Sequence, residues 1–146
     1  DINRVIKDTA ASFEGTCNEK NITFDLIFSD GIQMVYGDLG KIQRVLYNLI
    51  DNAIKFSHHD SEITIETTKK SEKVFVSVKD TGIGIPQEHL PRLFERFYRV
   101  DASRSNSGAN HGLGLAIVKA IALMHGGDVF VRSERGGNTF GITLPV

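Results

Sequence analysis

The sequence predicts an α+β fold in which a mixed sheet of about five strands carries three main helices on one face. Apolar residues recur at helical spacing in three segments, 2–17, 38–56 and 113–124. Between and after them lie short segments of alternating or continuous apolar character, which are typical of strands. This mixed order favours two layers around one core.

Composition indicates a single globular domain over residues 1–146, since 40% of the residues are apolar and 24% are charged. Seventeen basic and eighteen acidic residues give a net charge of -1. We therefore expect neither a nucleic acid partner nor direct membrane contact. The only cysteine, Cys17, excludes an internal disulfide and a multi-cysteine metal cage.

The first half of the chain is predicted to run helix, strand, strand, helix. The strand "ITFDLIF" follows the first helix, and "DGIQMVYGD" indicates a turn and a short strand. Asp38 is a plausible N-cap for a helix that continues through about Phe56. The core positions expected on the first helix are Ile2, Ile6, Ala10, Phe13 and Cys17.

The second half begins with the alternating segments "EITIET" and "KVFVSVKD", which "KKSEK" connects as a hairpin. Pro86 and Pro91 bracket a short helical stretch, and residues 98–111 are predicted to form a mobile loop rich in Ser, Asn and Gly. A helix resumes at Leu113, and Gly126 with Gly127 stops it. The strands "DVFVRSE" and "TFGITLPV" close the chain around "RGGN".

Three polar residues form a stripe on the second helix. Asn48, Asn52 and Lys55 fall together beside its apolar arc, when residues are placed about 100° apart. They could simply be the solvated edge of an amphipathic helix, but asparagine is a poor residue for a helix interior. Carboxamide oxygens suit Mg²⁺, a lysine would neutralise phosphates, and Phe56 could offer an aromatic face to a base. The apolar arc consists of Ile42, Val45, Leu46, Leu49 and Ala53.

A carboxylate ends the strand that contains Val74, Val76 and Val78. Asp80 shares their parity and should point inward, where it needs hydrogen-bond donors. The amine of adenine could be one such donor, with Gly82 and Gly84 allowing close approach of the ring. The alternative is a glycine-rich hairpin end in which backbone amides satisfy Asp80.

The helix near residue 113 begins with "GLGLAIVK", which brings Gly112 and Gly114 to a helix entrance. Free backbone amides and the helix dipole make such an entrance an anion site. The sequence contains no Walker P-loop, and "GIGIP" lacks the third glycine of a Rossmann fingerprint. Both common nucleotide-binding folds are therefore disfavoured.

Taken in order, "NLIDNAIKF", "DTGIGIP", "LFERF" and "HGLGLAIV" resemble the N, G1, F and G2 boxes of the catalytic and ATP-binding domain of sensor histidine kinases. The resemblance implies the Bergerat fold, a two-layer α/β sandwich shared with gyrase-type, mismatch-repair and heat-shock chaperone ATPases. ATP, or ADP, would lie with Mg²⁺ between helices and under a flexible lid at about residues 98–111.

The resemblance also implies a role for each matching residue. Asn52 would be the Mg²⁺ ligand, and Asn48 and Lys55 would contact phosphates. Phe56 would stack on adenine and Asp80 would read it. The remaining implied residues are Gly82 and Gly84 in the base pocket, Phe94 and Phe97 as lid anchors or plain core residues, Arg99 and Arg104 near the phosphates, and Gly112, Leu113 and Gly114 around the triphosphate.

The sequence departs from the family pattern in three places. Asn110 and His111 stand where a further glycine often precedes the G2 pair, and Arg135 and Asn138 replace the commoner glycine and hydroxyl residue of the last box. Related ATPases have a water-activating glutamate where this chain has Asn48. We therefore expect slow hydrolysis.

The resemblance implies that the domain donates the γ-phosphoryl group of ATP to a histidine on a separate dimerisation domain, from which a response regulator is phosphorylated. None of the five histidines stands in the helical, acidic context of an acceptor, so we expect no autophosphorylation by this chain alone. Asp1 begins inside a helical pattern, which suggests a piece of a longer protein. We expect a monomer on the cytoplasmic side of a bacterial membrane sensor. The alternatives are a protein-serine kinase of the anti-sigma type and a nucleotide-gated interaction module without enzymatic activity.

Overall fold

The computed structural model describes residues 1–13, 15, 21–29, 34–57, 60–82, 93–95, 114–134 and 137–145. Within these ranges three helices and five strands of more than four residues are present. They are α1 (Ile2–Ala11), β1 (Thr23–Ile27), α2 (Leu39–Phe56), β2 (Glu62–Lys70), β3 (Lys73–Asp80), α3 (Gly114–Met124), β4 (Asp128–Glu134) and β5 (Gly137–Pro145).

The five strands form one mixed sheet in the order β1-β2-β3-β5-β4. Strands β1 and β2 are parallel, and the other three pairings are antiparallel. Ser71 and Glu72 connect β2 to β3 with φ angles of 52° and 62°. Positive φ at both residues matches the twist of a two-residue hairpin, which confirms the predicted connection.

One face of the sheet is buried against the helices, so the predicted two-layer fold is confirmed. Alternate residues of the central strands face the helices because side chains in a strand alternate between the two faces. Helix α2 packs on β3 and lies between α1 and α3, and α3 also contacts β4 and β5. The fully buried residues on the inner face include Ile63, Ile65, Val74, Val76, Ile142 and Leu144.

Helix α2 begins as its sequence predicts. The side chain of Asp38 accepts a hydrogen bond from the amide of Lys41 at 3.1 Å, which satisfies one of the free donors of the first turn. Its predicted apolar arc is buried throughout. The helix ends where Ser57 takes an extended conformation. Burial of the arc fixes the rotation of α2 and so the position of the polar stripe.

Helices α2 and α3 are antiparallel neighbours. His125, just after α3, accepts a hydrogen bond from the amide of Asp38 at 3.1 Å through Nε2. At the other end, Asn48 of α2 contacts Gly114, the first residue of α3. The N-terminus of α3 is therefore set beside the middle of α2.

Three predicted boundaries were wrong. Helix α1 ends at Ala11, because the amides of Ser12 and Phe13 bond to carbonyls three residues back and tighten the last turn. Phe13 is nevertheless buried, as its spacing predicted. In the segment predicted as a turn and a short strand, residues 34–36 form no strand and residues 30–33 lie outside the described residues. Strand β5 begins at Gly137 rather than Thr139. The stretch between Pro86 and Pro91 and the loop at 98–111 lie outside the described residues.

Candidate nucleotide site

The most buried member of the polar stripe is Asn52, whose side chain is 3% exposed. Its Nδ2 atom is buried and has no hydrogen-bond partner within the described part of the chain. A buried amide nitrogen without a partner costs free energy, on the order of 1–3 kcal/mol. The position therefore carries a polar group that packing alone does not explain.

Lys55 lies one turn beyond, beside Asp51. Its Nζ atom is 3.0 Å from Oδ2 of Asp51, and the two side chains are 25% and 29% exposed. This distance is typical of an ion pair, but Nζ forms no hydrogen bond to any of the described residues. We interpret the contact as a charge interaction. Both side chains are only partly exposed and Nζ itself is buried, so the positive charge of Lys55 is held inside the fold beside Asp51.

Asn48 connects the stripe to the glycine-rich helix entrance. Its Nδ2 atom donates to the carbonyl oxygen of Gly114 at 3.4 Å. Two motifs that are 66 residues apart in sequence therefore meet at one point of the fold. The amides at the start of α3, which have no acceptor inside the helix, begin at this contact.

Asp80 ends β3 on the buried face, as the parity of the strand predicted, and is 0% exposed. Its Oδ1 atom accepts the amide of Gly82 at 2.9 Å and Nδ2 of Asn138 at 3.3 Å. The Gly82 amide is the kind of donor that the alternative expected, and a side-chain carboxamide from β5 is a second donor. A role of Asp80 in reading adenine stays a prediction.

Asn138 is the residue that sequence reasoning missed. It is fully buried, pairs with Asp80 across the β3–β5 ladder and accepts a hydrogen bond from Ser133 of β4 at 2.7 Å. The available signal was strand parity, since Asn138 alternates with the inward-facing Phe140. The glycines around it in "RGGN" instead predict a turn.

Phe94, from the third box, contacts the core. Its ring lies edge-on to Phe140 of β5, with the centroids 6.4 Å apart. Such edge-to-face pairs are a favoured aromatic geometry. The contact agrees with the packing role considered for this residue, and its role as a lid anchor stays a prediction.

Several predicted site residues fall outside the described residues. The backbone of Phe56 is the last turn of α2, but its side chain is not described. Gly82 and Gly114 are described, as given above. Those outside are Gly84, Phe97, Arg99, Arg104, Gly112 and Leu113, together with the atypical Asn110, His111 and Arg135.

Comparison with known proteins identifies the family. A family model described as "Histidine kinase-, DNA gyrase B-, and HSP90-like ATPase" matches residues 37–146. The chain is 41% identical over 136 residues to sensor histidine kinase WalK of Bacillus subtilis (strain 168), a match that covers 91% of this chain and 22% of WalK.

Solved structures of histidine kinases are similar to this chain over nearly its whole length. The nucleotide-free catalytic domain of histidine kinase ThkA superposes with a TM-score of 0.85 and 29% identity, covering 99% of this chain and 92% of that one. Full-length ShkA in complex with AMPPNP superposes with a TM-score of 0.86 and 29% identity, covering 99% of this chain and 30% of that one.

The chain therefore belongs to the histidine kinase-, DNA gyrase B- and HSP90-like ATPase family, whose members bind ATP. Within that family it is the ATP-binding catalytic domain of a two-component sensor histidine kinase. It spans about a fifth of the length of WalK. In the described ranges, no helix is both long and apolar enough to cross a bilayer.

Proposed function

We propose that this domain binds Mg²⁺-ATP and donates the γ-phosphoryl group to a histidine on a separate dimerisation domain of its kinase. The observation that carries the proposal is the buried Asn52, which has a polar group without a partner in the described structure. A ligand that needs a carboxamide would explain why this position is not apolar.

The residues present fit Mg²⁺. This ion prefers oxygen ligands, takes few of them from the protein and keeps waters and phosphates in the remaining positions. The Asn52 side chain can offer its oxygen, because the amide can turn over without changing shape. When bound, the ion would neutralise the charge that develops on the transferred phosphoryl group.

Adenine recognition is proposed for the end of β3. The carboxylate of Asp80 only accepts hydrogen bonds, so it suits the exocyclic amine of adenine and opposes the carbonyl that guanine has at the same place. Phe56 would stack on the ring, and Gly82 and Gly84 would let it approach the backbone. The likeness to ShkA, whose structure contains AMPPNP, supports an adenine nucleotide.

The phosphates are proposed to lie between α2 and the start of α3. Lys55 would turn from Asp51 to meet them, and the backbone amides of Gly112, Leu113 and Gly114 would bind them at the entrance of α3. Arg99 and Arg104 would approach from the lid. Because position 48 has a carboxamide that donates to Gly114 rather than a carboxylate base, water is poorly activated and the phosphoryl group is kept for a protein acceptor.

The proposed acceptor histidine lies on the dimerisation domain of the kinase, and the proposed response regulator is a separate protein. We propose that the phosphoryl group passes from the acceptor histidine to a response regulator, and that this domain acts on the cytoplasmic side of a bacterial membrane sensor. The isolated domain is proposed to be a monomer.

The test supplies the cognate dimerisation domain in trans, with ATP labelled at the γ-phosphate, and follows transfer of label. We expect the dimerisation domain to become labelled, with a label that acid releases and alkali does not, as for phosphohistidine. The Asn52→Leu variant should transfer no label. Acid-stable label on a serine would instead support the anti-sigma type of kinase. Nucleotide binding with no transfer would support a nucleotide-gated interaction module.

A further inference from the structure

Three polar side chains form one row across the sheet, at the edge where β3 ends and β5 begins. Asp80 of β3 is paired with Asn138 of β5, which is paired with Ser133 of β4. The same three residues are joined by hydrogen bonds, from Ser133 Oγ to Asn138 Oδ1 at 2.7 Å and from Asn138 Nδ2 to Asp80 Oδ1 at 3.3 Å. The row continues apolar rows of the core, such as Val78 beside Phe140.

The direction of these bonds follows from the chemistry of Asp80. A carboxylate only accepts hydrogen bonds, so Asn138 must turn its NH₂ group toward Asp80 and its oxygen toward Ser133. Ser133 is then the donor to that oxygen. The Ser133 hydroxyl thereby fixes the orientation of the Asn138 amide, because its hydrogen bond to Oδ1 would be lost if the amide were flipped.

We infer that Ser133 and Asn138 are positioning residues that determine how strongly Asp80 discriminates among nucleotide bases. Oδ1 of Asp80 is held by donors from two elements, the amide of Gly82 and the carboxamide of Asn138. The plane of the carboxylate is thereby fixed relative to β5. A flipped Asn138 would set its oxygen against the carboxylate, repel it and turn it away from its position.

The inference rests on the proposed reading of adenine by Asp80. It adds that selectivity among nucleotide bases depends on Ser133. This residue lies on β4, and β5 lies between it and Asp80. The carboxamide of Asn138 reaches both Ser133 and Asp80, whereas a hydroxyl group at position 138 would be too short to bridge them in the same way.

The test compares the affinity of ADP with that of purine riboside diphosphate, which lacks the exocyclic amine, by titration calorimetry in Mg²⁺. In the native domain ADP should bind about 10-fold more tightly or better, since hydrogen bonds to charged groups are the stronger ones. Ser133→Ala should reduce that preference to about threefold, through weaker binding of ADP alone. Ser133→Thr, which keeps the hydroxyl, should restore it.

Ser77→Ala, on the outward-facing side of β3, is the matched control and should leave the preference unchanged. A Ser133→Ala variant that keeps the full preference, or that loses affinity for both nucleotides equally, would overturn the role of Ser133 and Asn138 alone. A native domain without any preference would instead refute the reading of adenine by Asp80, and the inference with it.

Discussion

Gly137 lies so close to Asp80 that a β-carbon at position 137 would overlap the carbonyl oxygen of Asp80. The φ angle of Gly137 is also +140°, a value that side chains with a β-carbon rarely adopt. The absence of a side chain here lets β5 start directly against the end of β3. Asn138, the next residue, is brought within hydrogen-bond distance of the Asp80 carboxylate as a result.

We expect Gly137→Ala to lower the free energy of unfolding by about 3 kcal/mol, because overlap and backbone strain both act on the folded state. Urea denaturation would measure it. Gly40→Ala is the control, since its β-carbon would meet only Oδ1 of Asp38 at 3.4 Å and alanine favours a helix by about 0.5–1 kcal/mol. Equal stability of Gly137→Ala and the native domain would contradict the close approach.

Asn52 should make the nucleotide-free domain less stable than an apolar residue of similar volume would. Asn52→Leu removes a buried amide nitrogen without a described partner and fits a similar volume, so we expect the unfolding midpoint to rise by about 2–6 °C. Differential scanning calorimetry without nucleotide is the measurement. A fall in the midpoint would show that the carboxamide is satisfied in the folded domain, and that no ligand is needed to explain it.

Asn48→Ala should loosen the start of α3. The substitution removes the donor to the Gly114 carbonyl, at a cost of about 1–2 kcal/mol. Hydrogen exchange followed by mass spectrometry should show faster exchange in residues 115–119. Gln43→Ala makes a similar truncation on an exposed part of α2 and should leave this segment unaltered.

His125 should carry its proton on Nδ1. That atom lies 2.8 Å from the carbonyl oxygen of Ile121, which can only accept, while Nε2 accepts the amide of Asp38. Nitrogen NMR of the neutral imidazole should therefore show a protonated Nδ1, and a protonated Nε2 would disprove the bond to Asp38.

His125→Ala should lower the free energy of unfolding by about 1–2 kcal/mol, whereas substitution of the exposed Lys119 by alanine should change it little.

The parts of this fold that depend on local pattern were predictable from the sequence. The Asp38 cap, the apolar arc of α2 and the inward position of Asp80 all follow from helical spacing and strand parity, and all are confirmed. The short extent of α1 was not predictable in this way, because Phe13 keeps its buried position through a tightened turn rather than a continued helix.

The contact between Asp80 and Asn138 could not be derived from local pattern. It depends on the register of β3 against β5, between residues 58 positions apart, and register is set by long-range packing. The family resemblance implied that the motifs around Asn48 and Gly114 share a site, and the antiparallel packing of α2 and α3 brings them into contact.

We propose that the stripe on α2 and the carboxylate at the end of β3 together form the Mg²⁺-nucleotide site. The most direct test is calorimetric titration with AMPPNP, with and without Mg²⁺, of the native domain, Asn52→Leu and Asp80→Asn. We predict binding that Mg²⁺ strengthens in the native domain, loss of that strengthening in Asn52→Leu, and weaker binding of Asp80→Asn whether or not Mg²⁺ is present. Binding of the same strength in all three proteins would contradict the assignment of both residues.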